Sequence, residues 1–402
     1  MTRTRTNGEG SIFPYRNGFA AYVWVTKPDG KRTRKYVYGK TRDEVHDKWI
    51  ALQGKARKGP IATKAMTVRK FATYWMTEIV EPNLSPGTYA TYEVAVRLYI
   101  VPGLGDRRLD RLNTPVVQMW LNTVARTCRC CTQGKDARRR EEKRRCCSKG
   151  ECCNAIPSSP LIRQLRRILR AMLTCAIEAD HITDNPAVRI KLPPLRKSRG
   201  KSWSSDEARR FLEHVRVNDS RFYAAYVLIL VLGLRKGEVL GMSWDQIDFD
   251  IAEVVPRFQL QRIGRNLLRR AVKTETSEDP LPLPDICIAA LKHHRENVAA
   301  NEGYPPDSGD LLFRTVTGRP VEPRNFNRFM DRQIKTVGVP RITVHDARRT
   351  RGTLLADLDI HPRVAMRILR HAQFSITMEV YTQVSSEKTR KALQRLGESL
   401  QT

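Results

Sequence analysis

Apolar positions in the first sixty residues alternate instead of recurring at helical spacing. Ser11–Tyr15, Phe19–Thr26 and Lys35–Tyr38 read as short strands rich in aromatic and β-branched residues, and Arg16-Asn17-Gly18 and Pro28-Asp29-Gly30 supply the turns. Thr41 caps a helix running through Glu44, Val45, Trp49 and Leu52. Three strands and one helix make a thin core, so residues 1–62 are expected to form a dependent module. From 66 to 192 the period becomes helical. Val68, Phe71, Tyr74 and Trp75 share one face. Ser85-Pro86 is an N-cap and N1 pair ahead of Tyr89, Tyr92, Val96 and Tyr99, and Thr114-Pro115 opens a helix through Val117, Trp120 and Leu121. Leu161–Ala179 is amphipathic, with Leu165, Ile168, Leu169, Met172, Leu173 and Ala176 on one side and Arg163, Arg166, Arg167 and Arg170 on or near the other.

The pattern lapses twice. Between Arg126 and Asn154 it breaks into what reads as an insertion in the helical domain, and residues 193–202 form a polar, basic linker. A third domain, 203–402, begins at Trp203, with an apolar helix over Phe222–Leu232, strand-like stretches at Ile247–Val255 and Val272–Leu283, and mostly helix beyond. The expected fold is multidomain, mainly α with small β-sheets (α+β): a three-stranded sheet plus helix, a helical domain, and a mixed α/β domain. No internal repeats are visible.

Composition sharpens this. The 402 residues leave room for two or three cores. A net charge of +30 and a pI of about 10.2 point to a polyanionic partner, nucleic acid first. No run of apolar residues is long enough to span a bilayer, and the start, MTRTRTNGEGSIFPYRNG, has no apolar signal region, so a cytoplasmic protein with reduced thiols is expected. Arg16, Lys31, Arg32, Arg34 and Lys35 on the first module would set a basic sheet into a DNA major groove, or form the solvated face of a capping module. Arg163, Arg166, Arg167 and Arg170 suit contacts to a duplex backbone. The insertion, 126–154, holds seven of the nine cysteines: Cys128, Cys130, Cys131, Cys146, Cys147, Cys152 and Cys153. Clustered thiols in a reducing compartment argue for structural zinc, but adjacent cysteines do not easily serve one tetrahedral ion, and a basic hairpin with free thiols is the other reading.

The chemistry lies in the last third. Gly233 permits a sharp exit from the apolar helix, and in Gly233-Leu-Arg235-Lys-Gly-Glu238 the glutamate falls where it would steady Arg235. Lys273 sits in a polar turn after Arg269-Arg270. His345-Asp-Ala-Arg348 places two side chains on one helix face behind Thr343 as N-cap. His371 follows 23 residues after Arg348, and Tyr381 ten later. Two guanidiniums, two imidazoles, an ammonium and a phenol form a set for gripping a phosphodiester and attacking it.

This ordered set resembles that of the tyrosine recombinases, the phage-integrase type of site-specific recombinase. Gly233–Glu238 matches the first arginine box, Lys273 the β-hairpin lysine, His345–Arg348 the His-x-x-Arg box, His371 the second histidine box and Tyr381 the nucleophile. Arg370 and Gln383 depart from the residues commonly flanking those last two. The resemblance, to a site-specific integrase of the actinobacterial phage and integrative-element type, implies an arm-type DNA-binding module over 1–62, a core-binding domain over 66–192 and a catalytic domain over 203–402. It implies strand cleavage through a 3′-phosphotyrosine without metal or ATP, double-stranded DNA as partner, and a homotetramer on DNA in which Ala392, Leu393, Leu396 and Leu400 dock onto a neighbour. It also implies an excision factor, a DNA-bending host protein and a nucleoid-associated location in the cytoplasm. Two rival readings are a catalytically silent architectural or regulatory DNA-binding protein and a type IB topoisomerase-like relaxation activity.

Overall fold

The computed structural model describes residues 12–26, 30–58, 66–194, 200–218, 220–272, 280–358, 360–361, 363–365, 394 and 398. The chain separates into two units, Met1–Leu195 and Arg196–Thr402.

In the first unit, β1 (Phe13–Tyr15), β2 (Gly18–Thr26) and β3 (Arg32–Gly39) form an antiparallel sheet in that order. Alternation decides its two faces. Ala21, Val23 and Val25 pack under α1 (Arg42–Lys58) against Val45, Trp49 and Leu52. Trp49 Nε1 donates to the Tyr22 carbonyl at 3.1 Å, which fastens helix to sheet. Thr41 caps α1 as expected: Glu44 N–H donates to its Oγ1, and the Glu44 carboxylate accepts from Lys40 N–H.

A helical core of its own follows. α2 (Val68–Tyr74) continues through a π-helical stretch (Trp75–Val80) into α3 (Glu81–Asn83); α4 (Pro86–Ala95) continues likewise through Val96–Ile100 into α5 (Val101–Leu104). With α6 (Thr114–Arg126) and α8 (Ser159–Glu178) these helices bury Phe71, Trp75, Ile100, Leu121 and the α8 stripe read from the sequence, Leu165 to Ala176. Asn113 and Thr67 cap α6 and α2 through their side-chain oxygens. The insertion contains only α7 (Arg129–Thr132) and two short 3₁₀ turns. The chain leaves and rejoins the bundle at one place, where Arg129 donates from both N–H and Nε to the Ala155 carbonyl.

The second unit is built around α10 (Ser220–Val231), which is buried on nearly every side from Phe222 to Leu230 because it is apolar all round. Packed on it are α9 (Ser205–Asn218), α11 (Lys236–Gly241), α12 (Asp285–Glu302) and α14 (Val344–Asp357), with α13 (Pro323–Val337) against α9. A small antiparallel sheet has the order β4 (Ile247–Asp248), β5 (Glu253–Val254), β8 (Leu281–Pro282). The predicted strand Ile247–Val255 is therefore two short pieces, and of Val272–Leu283 residues 273–279 lie outside the described residues. The longest pairing among the described residues of this unit is a hairpin the hydrophobic pattern did not show, β6 (Phe258–Ile263) with β7 (Asn266–Ala271). Its two-residue turn has positive φ at Gly264 only, as a type II′ turn requires. Among the described residues, no helix is long and apolar enough to cross a membrane.

Candidate active site

α10 ends at a turn that two arginines hold from behind. Gly233 has φ +61°, a conformation side-chain-bearing residues resist, and this turns the Leu232 and Gly233 carbonyls inward. Arg348 Nη1 donates to the Gly233 carbonyl at 2.5 Å, and Arg351 Nη1 donates to that of Leu232. Both guanidiniums are buried, at 9% and 7% exposure, in α14. Sequence reading found Arg348 and missed Arg351, although its spacing, one turn further along the same helix, was visible. A Cβ at Gly233 would lie 2.6 Å from Arg351 Nη1, so the glycine makes room for that clamp.

Beyond the turn stands Arg235. Its N–H donates to Glu238 Oε2 at 2.9 Å and its Nη1 to Oε1 at 2.6 Å. The Glu238 side chain is 3% exposed and that of Arg235 is 50% exposed. A buried carboxylate thus fixes one edge of the guanidinium and leaves the other edge open, as the sequence spacing suggested. Arg235 and Arg348, 113 residues apart, meet at one turn.

α11 then packs its glycines on the hairpin: a Cβ on Gly241 would come within 2.7 Å of the backbone at Gln259 and Leu260. Arg269 on β7 locks the contact, donating from Nε to the Gly241 carbonyl at 2.9 Å and from Nη2 to Ser243 Oγ at 2.6 Å. Burial pushes the Lys236 ammonium below its usual range while it donates to Asn327 Oδ1 at 3.0 Å, tying α11 to α13. At the start of α14, Thr343 and Asp346 form a reciprocal capping box. His345 is exposed on that first turn. Lys273, His371 and Tyr381 lie outside the described residues, as do Ala392, Leu393, Leu396 and Leu400.

The candidate DNA-contact residues separate into two kinds. On the open face of the first sheet, Arg34 lies 4.8 Å from the ring centroids of both Tyr22 and Trp24, and Arg32 lies over Trp24. Tyr36 and Tyr38 extend this exposed row, and Arg16 lies over Tyr15 in the first turn. Lys31 is exposed; Lys35 alternates to the other face and is half-buried. On α8, Arg166 donates from Nε to the Ala187 carbonyl at 3.1 Å and from Nη2 to that of Val188 at 2.6 Å, and Arg163 donates to that of Pro193. Those two guanidiniums hold the returning chain against the helix; Arg167 and Arg170 face solvent.

All seven insertion cysteines come together, and all are free thiols. Two quartets lie close enough to hold a metal ion: Cys128, Cys131, Cys147, Cys152, and Cys130, Cys146, Cys147, Cys153. Asp136, missed in the sequence, anchors the segment. It is 1% exposed and accepts from the N–H groups of Arg145, Cys146 and Ser148, from Ser148 Oγ and from Arg139 Nη1. These bonds, Ser148 first, hold its carboxyl well below the usual range. Amide donors, led by Cys131 N–H, bring the Cys128 thiol down to about 6, whereas burial pushes Cys153 up to about 12.

The fold carrying the clamped turn is that of DNA-processing integrases. The Tn1549 transposon integrase, solved in complex with transposon right end DNA, superposes with a TM-score of 0.63 at 19% identity, over 83% of this chain and all of that one. A lambda integrase dimer bound to a COC′ core site gives 0.52 at 16% identity, over 94% and 96%. A profile described as "Phage integrase family" matches residues 201–388, and one described as "Phage integrase, N-terminal SAM-like domain" matches 67–125. The "Tyrosine recombinase XerC-like" protein of Caldanaerobacter subterraneus subsp. tengcongensis is 24% identical over 92% of this chain and 93% of its own length. The integrase of Mycobacterium phage D29 is also 24% identical, over 98% of both. The chain belongs to the phage integrase family. It is a tyrosine site-specific DNA recombinase, whose catalysis requires no cofactor.

Proposed function

We propose that this recombinase inserts and removes a mobile element at defined DNA sites, using Arg235, Lys273, His345, Arg348, His371 and Tyr381. The observation that carries this reading is the Gly233 turn, where Arg348 is bonded to the turn that presents Arg235. The Tyr381 phenolate oxygen attacks the scissile phosphorus as the bond to the 5′ oxygen breaks. His345 takes the phenol proton, Lys273 gives one to the 5′ oxygen, and His371 donates to a non-bridging oxygen. Arg235 and Arg348 grip the non-bridging oxygens, whose charge grows in the pentavalent transition state; losing one such donor costs roughly 2.7–4 kcal/mol. The 5′-hydroxyl of a partner strand reverses the step, so bond energy is conserved in the phosphotyrosine. Exchange between two duplexes uses four protomers.

Residues 1–62 are proposed as an arm-binding module that reads DNA with its Arg and aromatic face, and residues 66–192 as the core-binding domain. Arg167 and Arg170 make phosphate contacts there, and zinc stiffens the insertion. An excision factor and a DNA-bending host protein set the direction of reaction, which takes place at the nucleoid in the cytoplasm. The test is covalent trapping on nicked core-site DNA without added Mg²⁺ or ATP. Wild type should give a denaturant-resistant protein–DNA adduct and Tyr381→Phe none, with binding unchanged. An adduct formed by Tyr381→Phe would remove that residue as nucleophile.

A further inference from the structure

We infer that the insertion holds two divalent ions in one thiolate cluster, with Cys147 as the shared corner. The inference deepens the single-zinc reading above and rests on it. A tetrahedral zinc site with bonds of about 2.3 Å has sulfurs about 3.8 Å apart along each edge. Two edges of each quartet show this spacing: Cys128 to Cys147 is 3.9 Å and Cys131 to Cys152 3.6 Å in the first, Cys130 to Cys146 3.8 Å and Cys147 to Cys153 3.7 Å in the second, and the other edges are within 4.8 Å. Disulfides, at about 2.05 Å, are excluded by the same distances. Two separate four-thiolate sites need eight sulfurs. Seven are present, and Cys147 belongs to both quartets. Cys128 also lies 3.9 Å from Cys153, so the quartets touch away from the shared corner as well.

This arrangement accounts for the irregular spacing. Adjacent cysteines cannot readily serve one ion, and two of the three adjacent pairs here divide between two, while in the third Cys147 is the corner common to both. Cys131 and Cys152 go to the first quartet, and their neighbours Cys130 and Cys153 to the second. Cys146 and Cys147 are set by Asp136, which accepts from the Cys146 N–H at 3.0 Å and so fixes the turn bearing the corner. Charge agrees. Two dications and seven thiolates leave a threefold negative cluster, and residues 126–154 carry ten Lys and Arg against four Asp and Glu. The basic run is then counter-charge for the cluster, not only a surface for DNA.

The experiment uses full-length protein purified without chelator, with metal content per chain measured by elemental analysis and native mass spectrometry. Two zinc ions per chain are expected. One ion would overturn the shared corner and leave the single-zinc reading standing; none, in a chain that still binds DNA, would overturn both. Cobalt(II) exchange then tests the bridge. The thiolate-to-cobalt absorption should saturate at two equivalents, and the paramagnetic signal should fall as the second ion couples to the first through Cys147. Two equivalents with no coupling would mean independent sites and sink the proposal. Cys131→Ser, which touches only the first quartet, should keep one ion; full retention of two would count equally against it.

Discussion

The Gly233 turn and the cysteine-rich insertion are both irregular segments between helices, yet they are held in opposite ways. The turn lies on an apolar core, and its inward carbonyls are satisfied by Arg348 and Arg351. Among the described residues, the insertion buries almost nothing apolar except the thiols of Cys128 and Cys130, and its buried polar side chains are those of Gln133 and Asp136. A segment too small to make a core needs a cross-link. The turn, backed by a core, can instead use buried charge to place a side chain.

The sharpest way to break this contrast is to remove metal. Chelation should strip the amides of Cys146 and Ser148 of hydrogen-exchange protection, by about a hundredfold or more, and leave α10 unchanged. Protection that survives metal removal would mean that Asp136 alone holds the segment. Next in size, Arg351→Met leaves the Leu232 carbonyl buried without its donor and should cost about 1–3 kcal/mol. Gly233→Ala strains φ and displaces the same guanidinium, so a loss of similar size is expected. Denaturant melts read both, and each should slow cleavage more than it weakens DNA binding. An Arg351→Met chain that cleaves normally would show the clamp to be dispensable.

On α8 a smaller pair of effects separates neighbours. Arg166→Ala should lower stability by about 1 kcal/mol through the lost bonds to residues 187 and 188. Arg167→Ala should leave stability alone and reduce the salt slope of DNA binding by about one. Equal effects on both measurements would erase the distinction drawn between them. Smallest is an acid response confined to the second unit. His294 is buried against Phe313 and Trp244, and burial lowers its pKa. The unfolded chain therefore takes up the proton first, and stability, full above the unfolded value near 6.5, should decline as pH falls below it. Thermal melts of His294→Leu should lose that slope.

How much of this was legible in the sequence follows from how local each determinant is. The first three strands, the stripe of α8 and the caps Thr41, Ser85 and Thr343 were readable because neighbouring residues decide them. The β6–β7 hairpin was not, since Gln259, Gln261, Arg262, Arg269 and Arg270 blur its alternation and its partner is a glycine face on α11. Glu238 could be paired with Arg235 at three residues' spacing. Asp136 could not be found, because its backbone N–H donors lie nine to twelve residues away in a stretch without periodicity. An amphipathic wheel put Arg163 and Arg166 outside the core, but did not show the chain segment they hold.

The hydrogen bonds from Arg129 to the Ala155 carbonyl close the insertion at its base. A loop whose two ends already touch can be lengthened, shortened or exchanged with little strain on the helices beside it. Residues 130–154 are therefore portable: a lineage can acquire or discard them in one event, and an engineer can replace them with a short turn or a foreign hairpin while α6 and α8 keep their packing.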